Sequence, residues 1–258
     1  MGEQGASTAA PGERVRRPAF YALRPGGWRD LVTLLHPPYT AWHLAYVALG
    51  AAAASQVHVD RLLAALGAFF LAVGVAAHAL DELNGRPLRT RLSDRSLIAL
   101  ATISLVGAIG IGVAGVFIVS ATLAPFVAAG GFLVVAYNLE LAGGRFHTNL
   151  WFAATWGAFP ALTSWWANTL SLERPDELAA GLLVTTGCFG LSVAQRRLSA
   201  PVRDLRRRTV SVDGEQRLTD GTSVPLSVGR IASPLDGALR ALSWAIVVLA
   251  AGMVTLRL

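Results

Sequence analysis

Leu62-Leu-Ala-Ala-Leu-Gly-Ala-Phe-Phe-Leu-Ala-Val-Gly-Val-Ala-Ala-His78-Ala-Leu80 is an unbroken apolar run with one polar side chain, His78, near its end. A bilayer core takes about 20 apolar residues as a helix, and lipid leaves the backbone no hydrogen-bond partner but itself. The run is therefore predicted to be a transmembrane helix. It stops at Asp81-Glu82-Leu-Asn84-Gly85-Arg86-Pro87-Leu88, where charge, glycine and proline arrive together. The pattern recurs on both sides of it. Spans are expected at Pro38–Ala54, Leu62–Leu80, Ser96–Val119, Ala121–Asn138, Leu150–Leu170, Glu177–Ala194 and Leu235–Val254. The third and fourth leave room only for a tight turn at Ser120, and Gly107, Gly110, Gly112 and Gly115 permit close helix packing in lipid.

Composition agrees. The 258 residues are 53% hydrophobic and 15% charged, with mean hydropathy +0.51; soluble domains carry about 25% charged residues. The expected fold is all-α, a polytopic transmembrane helical bundle of about seven spans over residues 28–258. Residues 1–27, rich in Gly, Pro and charge, are expected to be a flexible tail, with no apolar middle to make a signal peptide. Trp28 to Leu35 suits a short interfacial helix.

All 22 basic residues are arginine, against 16 acids, for a net charge of +6. In a membrane chain this surplus reads as topology, not as nucleic-acid binding. With a cytoplasmic amino terminus, Arg86, Arg89, Arg91, Arg95, Arg145 and the arginines of 196–240 all fall inside. Only Arg61, Arg174 and Arg257 fall outside. The loops at 81–95 and 195–234 then face the cytoplasm together. The second is long enough to hold structure of its own. Val210 and Val212 alternate before Asp213-Gly214, which predicts a small cytoplasmic β-hairpin over Thr209–Leu218, or a meander with a second turn at Asp220-Gly221, lying against the bundle. Cys188, the single cysteine, lies in an apolar run and reads as a packing residue.

Three segments carry candidate chemistry. His78, Asp81 and Glu82, spaced i, i+3 and i+4, are expected on one helix face, with Asn84 and Arg86 following. Carboxylates with an amide suit Mg²⁺ completed by phosphate oxygens; the plainer reading is a solvated helix end. Gln195 to Arg208 holds six arginines. Arg196, Arg197 and Arg203, nearest the membrane, suit a bidentate diphosphate clamp, whereas Arg206 to Arg208 read as orientation signals or lipid contacts. Tyr137, Asn138 and Arg145 form the third segment, with Trp151, Trp156 and Pro160 beyond, and Trp165 and Trp166 as interface anchors. His43, placed inside the first span, is a further pocket candidate.

The polar motif after the second span, the Tyr-then-basic loop after the fourth and the polar motif after the sixth resemble the UbiA-type membrane prenyltransferase superfamily. The strings that carry the resemblance are Asp81-Glu-Leu-Asn84-Gly-Arg86-Pro87-Leu88 and Tyr137 through Pro160, within residues 36–208. The resemblance implies an all-helical enzyme, expected in a bacterial plasma membrane, that binds an isoprenyl diphosphate and transfers the prenyl group to a lipophilic acceptor. It implies Mg²⁺ on Asp81, Glu82 and Asn84, diphosphate on Asn84, Arg86, Arg196, Arg197 and Arg203, and Asp81, Tyr137 and Arg145 at the reacting end. If Asp81 takes the last position of the family's first motif, Asn-Asp-x-x-Asp, His78 replaces its first aspartate; if Asp81 aligns further along, both aspartates are lost. The second motif is arginine-rich with only Asp204. Two expectations follow: a divergent enzyme with an arginine clamp, or a catalytically degenerate relative that binds an isoprenoid or a partner. Asp236-Gly237-Ala-Leu-Arg240 opens like the motif for head-group transfer from cytidine diphosphate alcohols, but the downstream glycine and paired aspartates are absent.

Overall fold

A computed structural model describes residues 17–258. Its helices are α1 (Trp28–Leu34), α2 (Pro37–Ala52), α3 (Val59–Leu83), α4 (Asp94–Ile118), α5 (Ala121–Asn138), α6 (residues 149–169), α7 (Pro175–Arg207) and α8 (Val228–Thr255). Their starts are set by local chemistry. Ser93, Ser120, Thr148 and Ser227 each accept a hydrogen bond from a first-turn amide, which satisfies donors that a helix start leaves open. Prolines open α2 and α7, where the missing N–H costs nothing.

Five helices are long and apolar enough to cross a membrane: α3, α4, α5, α7 and α8. Two of the seven expected spans, α2 and α6, are not among them; α2 has only 16 residues, and both carry several polar side chains. α2 and α6 lie inside the bundle against each other; a Cβ on Gly50 would stand 2.1 Å from the Ala161 carbonyl oxygen. Trp42, Tyr46 and Val47 of α2 and Ala161, Ser164 and Trp165 of α6 are fully or nearly fully buried. A helix wrapped by protein does not need a lipid-grade surface, so Thr, Asn, His and Trp are tolerated there. Trp165 is consequently a core residue, packed where Gly181 has no side chain, and not an interface anchor.

Contacts gather the helix ends into two groups. At one end, Arg91 N bonds Asp30 at 3.1 Å, Asn84 bonds the Asn138 carbonyl at 3.3 Å, and Arg196 bonds Asn149 at 3.0 Å. At the other, Ser55 N meets Glu177 at 2.6 Å, Arg61 the Ala167 carbonyl at 3.0 Å, and Trp166 meets Thr122 at 3.0 Å.

Three expectations need correction. The sixth span continues as helix through Pro201 to Arg207, and α8 begins at Val228, so the 195–234 loop shrinks to 208–227. The hairpin in it pairs Glu215–Arg217 (β1) with Ser223–Pro225 (β2) around Asp220-Gly221, not around Asp213-Gly214. Asp220 accepts from the Thr222 amide at 2.9 Å and its hydroxyl at 2.7 Å, which closes that turn. The tail is no tail from residue 17 onward. Leu23 N bonds Thr33 Oγ1 at 3.0 Å, Gly26 N bonds Asp30 at 3.0 Å, and Ala22 is buried. Residues 1–16 lie outside the described residues.

Candidate functional site

A cavity of about 410 Å³ opens at the end of the bundle where α3, α5 and α7 finish and residues 18–21 cross. α3 contributes His78, Asp81 and then Asn84 beyond its end; α5 contributes Tyr137 and Asn138; α7 contributes Gln195, Arg196, Ser199, Arg203 and Arg207. His43 of α2 lines it too, as do His36 and His147.

The arginines come from one helical stripe. Positions 196, 199, 203 and 207 recur at three and four residues, so a continuous helix puts them on one face. Arg196 is held by Asn149 and by the Phe152 ring, 5.1 Å from its guanidinium carbon. Arg203 and Arg207 have no carboxylate partner among the described residues. Asp81 makes no hydrogen bond among the described residues and faces the same space. Arg208 reaches the rim paired with Asp204 at 3.5 Å.

Several buried polar atoms have no partner among the described residues: Tyr137 Oη, Gln195 Oε1 and His36 Nε2, all on cavity-lining residues. A buried polar group left open costs about 1–3 kcal/mol, so these atoms suit a ligand with hydrogen-bonding groups. Burial pushes the His36 imidazole well below its ordinary range, and His78 with Arg207 and Arg203 pushes the same way. Burial likewise raises the Tyr21 phenol well above its usual value.

Other expected site residues are placed elsewhere. Glu82 is fully buried and accepts from Leu88 N at 2.8 Å, Thr90 N at 2.8 Å and Thr90 Oγ1 at 2.9 Å. Successive helical residues are turned about 100° apart. Asp81 and His78 thus take the cavity face, and Glu82 ties down the following loop instead of joining them. Arg86 donates to the Leu92 carbonyl at 2.5 Å and pairs with Asp94, away from the cavity. Arg197 is exposed on the far side of α7, and Arg145 is exposed after the turn that follows α5. Asn138 does line the cavity, but its amide donates to the Val134 carbonyl at 2.7 Å. The Asp81, Glu82 and Asn84 set therefore does not fit a Mg²⁺ ion held by all three. Among the described residues, no group of three or more His, Cys, Asp or Glu side chains is arranged to hold a metal.

The sequence reading missed Arg207, Gln195, Tyr21 and His36. Arg207 was legible as the next member of the stripe had α7 been continued past Pro201. Tyr21 and His36 reach the cavity through long-range packing that has no local signature.

The cavity has an apolar neighbour. A second space of about 150 Å³ lies among Ala65, Leu105, Gly112, Val127, Gly130 and Phe159, and Val73 and Trp156 line both spaces. Each of those two residues sits in a π-helical stretch, Phe70–Ala77 and Ala154–Ala158. Such bulges recur at functional sites. His43 bonds the Trp156 carbonyl at 2.8 Å from the polar side, and Tyr137 stacks edge-on against Trp156 with centroids 5.4 Å apart. Comparison with protein-family models, curated proteins and solved structures found no match.

Proposed function

We propose that the protein is a UbiA-like integral membrane prenyltransferase. In this reading it takes an isoprenyl diphosphate and a lipophilic acceptor from the membrane, with its amino terminus on the cytoplasmic side. The observation that carries the reading is the stripe Arg196, Arg203 and Arg207. Three guanidinium groups without carboxylate partners among the described residues converge on a part-buried cavity, and an apolar space begins at its wall. Guanidinium forks bind phosphate oxygens bidentately, and reduced screening near apolar walls strengthens the attraction.

The chemistry that such a site supports is heterolysis of the allylic C1–O bond. The electron pair goes to the diphosphate oxygen, where fixed positive charge stabilises it. The acceptor's nucleophilic atom forms the new bond to C1 and gives up its proton to Asp81, the carboxylate that faces the cavity. Tyr137 lies beside the reacting end. The positive charge is supplied by arginine, which is consistent with Glu82 being committed to the 88–90 loop.

A second reading, an isoprenoid-binding protein without transfer, draws on that same commitment of Glu82. Binding and turnover separate the two. Purified protein is expected to bind a labelled isoprenyl diphosphate, with affinity falling at least about tenfold in Arg203→Gln, the loss of one charge-assisted contact. Acceptor-dependent release of inorganic diphosphate marks the enzyme; binding without release selects the second reading. Binding equal in wild type and Arg203→Gln would remove the site.

A further inference from the structure

The segment Arg17–Ala22 bridges the end of α7 to the start of α2 and supplies Pro18, Ala19, Phe20 and Tyr21 to the cavity wall. Arginines of α7 and α8 hold one side of it and aromatic rings the other. Arg206 donates to the Arg17 carbonyl at 3.4 Å, Arg207 donates to the Pro18 carbonyl at 3.5 Å, and Arg240 lies 4.8 Å from the Phe20 ring centroid. On the far side Tyr21 packs edge-on against His36 and Tyr39, with centroids 5.2 Å and 5.5 Å away. Among the described residues no carboxylate bonds the segment or Arg207, whereas Arg206 also pairs with Asp236. A guanidinium bonded to a neutral carbonyl at such a distance is weakly satisfied, whereas an ionised oxygen makes a shorter and roughly twice stronger bond.

We propose that residues 17–22 form a strap that closes the arginine cavity, and that a phosphate-bearing headgroup competes with the strap for Arg207. The Pro18 carbonyl occupies that arginine in the closed arrangement. A phosphate draws Arg207 away from Pro18, and the aromatic packing of Phe20 and Tyr21 sets how readily the segment lifts. The ligand part rests on the phosphate-binding reading above; the closure part does not.

The test uses the full chain with Cys188→Ser and a single reporter, Ser199→Cys, inside the cavity, labelled by a neutral methanethiosulfonate. Ser211→Cys, on the exposed loop, is the control. Arg240→Gln and Phe20→Ala each loosen the strap, and Arg240 is exposed enough for its replacement to leave folding intact. Each is expected to speed labelling at position 199 by about two- to fivefold, the range of one cation–π contact at an exposed site, with no change at 211. Inorganic diphosphate should protect position 199, and half-protection should need correspondingly less of it in Arg240→Gln. Labelling at 199 unchanged in both variants overturns the strap, even where diphosphate protects. Faster labelling with no protection at any diphosphate concentration leaves closure standing and overturns both the competition and the phosphate reading.

Discussion

Glu82 keeps its carboxylate on three donors of residues 88–90, while Asp81, one residue earlier, faces the cavity without a hydrogen bond among the described residues. The two acids should therefore separate cleanly by measurement. Glu82→Ala leaves the Leu88 and Thr90 amides buried and unpaired, and each such group costs about 1–3 kcal/mol. We expect a loss of about 2–4 kcal/mol in reversible unfolding in detergent, whereas Asp81→Asn should cost under about 1 kcal/mol and act on ligand binding instead. Equal losses would mean that the loop does not depend on Glu82. At this scale the sequence shows residue types but not the company they keep. The i, i+3, i+4 spacing of His78, Asp81 and Glu82 allows one broad face, yet a buried carboxylate follows the backbone donors that need it, and those lie six and eight residues away.

α7 carries the argument at the scale of one element. Its hydropathy falls after Ala194, which is where a lipid-facing reading ends it, but amphipathic periodicity continues. Arg196, Ser199, Arg203 and Arg207 share the inner face, and Arg197 points outward. Pro201 is accommodated within the helix, where it removes one amide donor. Diphosphate affinity is thus expected to fall about tenfold in Arg207→Gln and by less than about twofold in Arg197→Gln, as befits an inward fork and a solvated surface charge. Isothermal titration with inorganic diphosphate would read both, and matched losses would point to a diffuse charge effect. Arg206 belongs to neither class, since it pairs with the buried Asp236. The hairpin teaches a related lesson. Both Asp-Gly pairs carry the same turn signal, but only Asp220 is followed by Thr222, whose amide and hydroxyl reward its carboxylate and lower its pKa.

For the whole molecule, the lipid-facing helices were legible because lipid imposes hydropathy on whatever it touches. α2 and α6 face protein, so their role depends on direction instead. α6 runs from Asn149, which meets Arg196 at one end of the bundle, to Ala167, which meets Arg61 at the other. A helix joining the two ends crosses whatever α3 and α7 cross. Seven crossings then place Ser93 and Ser211 on one side and Ser171 on the other. With only the five apolar helices crossing, Ser171 would share a side with Ser93 and Ser211 would be alone. Single cysteines at these positions, in Cys188→Ser and labelled by a membrane-impermeant maleimide, distinguish the two patterns. We expect 93 and 211 to label together from the cytoplasmic side, because Arg86, Arg89, Arg91, Arg95 and most arginines of α7 gather at their end, and arginine-rich ends stay inside. Co-labelling of 171 with 93 would take α6 out of the membrane and, with it, the shared wall of Val73 and Trp156 that lets a headgroup and an apolar tail occupy one site.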